Sequence, residues 1–102
     1  MRDQSNGEKV PFAVSMSIQT GETLKQLHVQ AVMLGHGQRF LDAFRQILDR
    51  LRNSPFTFGE PVYRLPVLYL QVRHAVILPL VVDYAVHEDK PLVFIRGFKL
   101  LS

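Results

Sequence analysis

From Val10 the chain alternates apolar and polar positions. Phe12, Val14, Met16 and Ile18 fall on one face, and Ala13, Ser15 and Ser17 on the other. A period of two predicts a half-buried strand. The period then lengthens. In "TGETLKQLHVQAVMLG", Leu24, Leu27, Ala31 and Leu34 recur at helical spacing, with Thr20 or Thr23 as the expected cap and Glu22 near the positive end. "GHG" (35–37) breaks this helix, and Gly35 suits its C-terminal cap. A second helix is clearer: in "QRFLDAFRQILDRLRNSP", Phe40, Ala43, Phe44, Ile47, Leu48 and Leu51 form one stripe, ended by Asn53, Ser54 and Pro55. Two amphipathic helices across so short a break predict an antiparallel hairpin.

Beyond "FTFGEP", read as a loop, the period returns to that of strands. "VYRLPVLYLQVR" predicts a second strand starting after Pro66, because proline cannot donate to a ladder. "LVVDYAV" and "LVFIRGF" predict a third and fourth, joined by the charged turn "HEDKP". The third is apolar on both faces apart from Asp83, which points to a central position. The order is β-α-α-β-β-β: an α+β fold with the helix hairpin on one face of a small, mostly antiparallel sheet. Residues 1–9, polar and with little to bury, are expected to form a loose tail ahead of a single domain over 10–102. "HAVILP" is apolar where a loop is expected. Either Ile77 and Leu78 mark a partner surface, or the strand extends and both enter the core.

Composition narrows the chemistry. The 102 residues, 47% of them hydrophobic, suffice for one core. Without cysteine there is no disulfide, thiolate zinc site or cysteine nucleophile. A net charge of +3 allows a nucleic-acid or acidic partner without demanding one. No apolar run spans a bilayer and the N-terminus lacks the apolar centre of a signal peptide, so a soluble cytoplasmic protein with no membrane partner is expected. His28, His36, His74 and His87 are too dispersed to predict a metal site, and "GHG" lies between helices, so no metal or other cofactor is expected.

Some residues remain as candidates for chemistry. His87, where the third strand enters its turn, suits proton transfer near neutral pH; the alternative is a turn residue bonded to its neighbours. Arg73, Arg96 and Lys99 lie toward the ends of neighbouring strands, where they would hold a phosphate or serve as solvated edge residues. Register decides which. If Val86 opposes Leu92, Tyr84 faces Phe94 and Arg96 faces Val82 on one side; a shift of one residue separates them.

From about Phe12 to Lys99 the pattern resembles the RelE/ParE superfamily, the toxins of bacterial type II toxin–antitoxin modules. The likeness lies in the alternating first strand, the helix pair ending "FLDAFRQILDRLRNSPFTFGEP" and the final hairpin "PLVVDYAVHEDKPLVFIRGFK". It implies a cytoplasmic toxin bound by a cognate antitoxin. RelE-like members cut mRNA on the ribosome without metal, and ParE-like members inhibit DNA gyrase. For a ribonuclease the likeness implies Arg73, Arg96 and Lys99 on phosphate, with His87 or Tyr84 in proton transfer. The chain departs from the pattern in three places. "VLYLQVR" holds one cation, Pro79 or Leu80 stands where an arginine is frequent, and "GFKLLS" has no late tyrosine. The competing expectation is a non-catalytic interaction domain of the same fold, ParE-like or self-associating as a homodimer, using Ile77 and Leu78.

Overall fold

A computed structural model describes residues 10–101; the tail expected over 1–9 lies outside the described residues. The elements run β1 (Ala13–Met16), α1 (Ile18–Met33), α2 (Gly37–Asn53), β2 (Glu60–Leu65), a 3-10 turn (Pro66–Leu68), β3 (Leu70–Ile77), β4 (Leu80–His87) and β5 (Leu92–Leu100). The described strands form one mixed sheet in the order β1-β5-β4-β3-β2. β1 lies parallel to β5, and the other three pairings are antiparallel. The fold is α+β, with both helices packed on this sheet and β4 at its centre, as its two-faced apolar sequence predicts.

The sheet has one strand more than expected. "VYRLPVLYLQVR" is a hairpin and not one strand: Pro66 opens the 3-10 turn, Tyr69 takes a left-handed conformation (φ 55°), and the chain folds back. Proline's fixed φ suits the start of such a turn. β2 is one edge of the sheet and all six of its residues are exposed. "HAVI" completes β3, leaving only Leu78 and Pro79 as the turn into β4.

α1 begins earlier than expected. Ser17 is the cap, its hydroxyl accepting from the Thr20 amide at 3.1 Å. Ile18, expected on the strand's inner face, is instead the first helical residue and is 86% exposed. At the other end Gly35 (φ 79°) donates to Val32 O at 3.0 Å, and His36 N donates to Ala31 O at 2.7 Å. Both bonds satisfy orphaned carbonyls of the last turn, as a glycine-terminated helix end allows.

The core lies between helices and sheet. Phe40, Ala43, Ile47 and Leu51 of α2 are buried, and Phe44 and Leu48 pack at their margin. They meet Ala75 of β3, Leu80, Val82, Tyr84 and Val86 of β4, and Val93, Ile95 and Phe98 of β5. Each fully buried Val, Leu, Ile or Phe side chain here contributes roughly 1.5–3 kcal/mol. Two pairing irregularities adjust the faces. In β2, Val62 is an extra residue between Pro61 and Tyr63. In β5, Tyr84 faces Ile95 and Asp83 faces Gly97, so Arg96 is the extra residue of a bulge. The hairpin pairs Val86 with Val93, one residue away from the Val86–Leu92 register considered above. No helix among the described residues is long and apolar enough to cross a membrane.

Candidate functional site

The sheet divides the candidate residues between its two faces. On β3 the register places Gln71, Arg73, Ala75 and Ile77 on the helix side, opposite Val86, Tyr84, Val82 and Leu80. Arg73 is therefore internal, 6% exposed. It donates from Nε to Phe58 O (3.3 Å), from Nη2 to Gly59 O (3.0 Å) and from Nη1 to Gln71 Oε1 (2.5 Å). Tyr84 is fully buried beside it, its hydroxyl sharing one proton between the carbonyls of Pro55 (2.9 Å) and Phe58. Burial raises the Tyr84 phenol above its ordinary value, while the nearby Arg73 and Arg50 guanidiniums pull it the other way. The phenol is protonated at neutral pH and acts as a donor. Together these side chains fasten the loop after α2 to the underside of the sheet. That loop is held closely. Gly59 (φ 70°) approaches β3 until an added Cβ would lie 2.1 Å from His74 O, far closer than van der Waals contact allows.

Arg96 and Lys99 lie on the other, open face. Arg96 donates to Tyr63 Oη at 2.9 Å, stacks over that ring at 5.8 Å and sits 3.5 Å from Asp83 Oδ1. Asp83 Oδ1 is itself buried and accepts no hydrogen bond from the described residues. At 3.5 Å the Arg96–Asp83 contact is ionic and not a well-aligned bond. Arg96 belongs to β5 and Tyr63 to β2, so the pair reaches across two intervening strands. Val72 and Ala85, also on the open face by register, are nonetheless buried; their cross-strand neighbours are Tyr63 and Phe94. Lys99 is exposed opposite Val81.

His87 is remote from Lys99. It lies six positions along β4 from Val81, the partner of Lys99, or about 20 Å at the rise of a strand. Its Nδ1 accepts from the amides of Asp89 (3.1 Å) and Lys90 (3.0 Å), which is the turn role named as one of its two expectations. Its ring stacks on Tyr69 at 6.3 Å. Glu88 N donates to Tyr69 O at 2.7 Å, and the Glu88 carboxylate takes a two-pronged bond from Arg64 (2.6 and 2.7 Å). That bond holds the Glu88 carboxyl below its ordinary range and raises Arg64.

The "HAVILP" pair also separates. Ile77 packs at the margin of the core, and also lines a cavity of about 340 Å³ with Arg45, Gln46, Asp49 and Arg50. Leu78, 59% exposed, stands at the turn. Thus the structure brings Arg73 together with Tyr84, sets Arg96 and Lys99 on the opposite face, and leaves His87 at one end of the sheet. Tyr63 and Asp83 as the companions of Arg96 were not expected. Gly97 within an apolar strand was the available signal, since an interior glycine marks a bulge. Among the described residues no three histidine or acidic side chains converge on a cation site. Comparison of the chain with protein-family models, with curated proteins and with solved structures gives no match.

Proposed function

We propose that this chain is a non-catalytic protein-interaction domain of RelE/ParE-like architecture. In this reading it is a toxin-like bacterial component that acts in the cytoplasm by binding a protein, as ParE-like members bind gyrase. A cognate antitoxin holds it in check. The element order and the helix hairpin on one sheet face support that architecture. One observation favours binding over RNA cleavage: the proposed cleavage residues are not assembled. Two are fixed beneath the sheet on backbone carbonyls. Of the rest, His87 and Lys99 stand about 20 Å apart by strand rise. Metal-free cleavage requires a base at the 2′-hydroxyl and cations on the same phosphate, all within hydrogen-bond reach.

Induced expression with a growth readout tests this, alongside purified protein on mRNA-programmed ribosomes. The binding reading predicts growth arrest that survives Arg96→Ala with Lys99→Ala and is lost on Leu78→Asp, with message left intact. Message cleavage abolished by the double alanine variant would establish the ribonuclease instead.

A further inference from the structure

The apolar surface around Leu78 is shaped as a two-part groove. One cavity, about 160 Å³, is lined by Ala31, Leu34, His36, Pro79, Leu100 and Leu101. A second, about 180 Å³, is lined by His36, Arg39, Leu78, Pro79 and Leu101. His36, Pro79 and Leu101 belong to both, so the two adjoin across a shared wall. Each is close to the roughly 150 Å³ that accommodates a benzene-sized group in an apolar void. Its walls are fixed by backbone bonds: Leu101 N donates to Pro79 O at 2.7 Å, and His36 N to Ala31 O at 2.7 Å. Leu34, Leu78 and Leu101 leave large apolar surfaces exposed around the opening.

Among the described residues, Arg39 is the charged side chain lining the groove and no acidic residue lines it. Arg39 makes no ion pair with a described residue, whereas Arg45 and Arg64 are matched to Asp42 and Glu88.

We infer that this groove binds an acidic amphipathic helix of a partner protein, two of whose apolar side chains, one helical turn apart, fill the paired cavities. Side chains three or four positions apart on a helix lie on one face as neighbours. Carboxylates flanking them meet Arg39. This inference rests on the binding reading and names its partner's chemistry.

The test uses the full chain and two fluorescein-labelled peptides. Each carries two leucines one helical turn apart, set among glutamates in one peptide and lysines in the other. Anisotropy is expected to show binding of the glutamate peptide only, with amide shifts centred on Leu34, Leu78 and Leu101. Arg39→Glu is expected to weaken the glutamate peptide by about fivefold per ion pair lost and to favour the lysine peptide. Leu78→Asp is expected to abolish binding of the glutamate peptide. Both positions are exposed, and circular dichroism checks that the variants fold. Equal binding of the two peptides, shifts centred elsewhere, or a dimer occupying the groove would overturn the inference. Should neither peptide bind while Leu78→Asp still relieves growth arrest, the acidic-helix inference falls and the binding reading stands. Arrest that depends on Arg96 and Lys99 removes the reading itself.

Discussion

Replacing Arg73 by methionine removes its guanidinium and keeps most of its aliphatic stem. Three bonds disappear, to Phe58 O, Gly59 O and Gln71 Oε1. Hydrogen bonds from a charged donor are worth roughly 1.5–3 kcal/mol each. Against them stands the cost of desolvating a cation that meets no carboxylate among the described residues, which is several kcal/mol. Gly59 is exposed, so water replaces one partner, and Phe58 O keeps the Tyr84 hydroxyl. The net loss for Arg73→Met is therefore about 2 kcal/mol. In a domain of this size that lowers Tm by roughly 10 °C. Tyr84→Phe removes the other donor to the same carbonyl. Because both bonds end on Phe58 O, the double variant is expected to depart from additivity by about 0.5 kcal/mol or more. Urea unfolding of the two single variants and the double measures this cycle. Arg96→Met is the control: an exposed cation with a surface ion pair is expected to change stability by no more than about 1 kcal/mol. A wild-type midpoint for Arg73→Met, or strict additivity with Tyr84→Phe, would refute the view that these two residues brace the loop.

Three further outcomes follow from local geometry. Gly59→Ala combines a left-handed backbone with a collision at His74 O and is expected to cost about 3 kcal/mol or more, read as a fall in urea midpoint. Ser17→Ala removes the α1 cap and is expected to cost about 1 kcal/mol, with amide exchange accelerating first at Thr20. Glu88 has a folded pKa below its unfolded one, so its contribution is present above the ordinary value of 4.5 and is lost as pH falls through the depressed one. A carbon-13 titration is expected to place Glu88 below that value and to return it there in Arg64→Ala.

The sequence was most legible where one face alone is apolar. The α2 stripe and the outward residues between its members determine which side meets the sheet, and the buried set agrees with that reading. β4 belongs at the centre for a related reason, because an edge strand would leave one of its apolar faces wet. Arg73 was harder. β3 carries apolar residues on both faces, so alternation does not say which face its arginine joins. Its parity with Ala75 and Ile77 held the answer, although a cation is rarely expected inside. The β2–β3 hairpin was hidden because its turn uses "PVLY" with Tyr69 left-handed, lacking the Asn-Gly or Asp-Gly that marks tight turns. The bulge at Arg96 likewise shifts register without any change in hydrophobic pattern.

The sheet separates the candidate cations, with Arg73 bonded inside and Arg96 outside. Phenylglyoxal labelling of the native protein, resolved arginine by arginine by mass spectrometry, reads this directly. Arg96 and Arg39 are expected to label rapidly, and Arg73 only at the rate of global unfolding. Labelling of Arg73 as fast as Arg96 would contradict the account and return it to the set of available phosphate ligands.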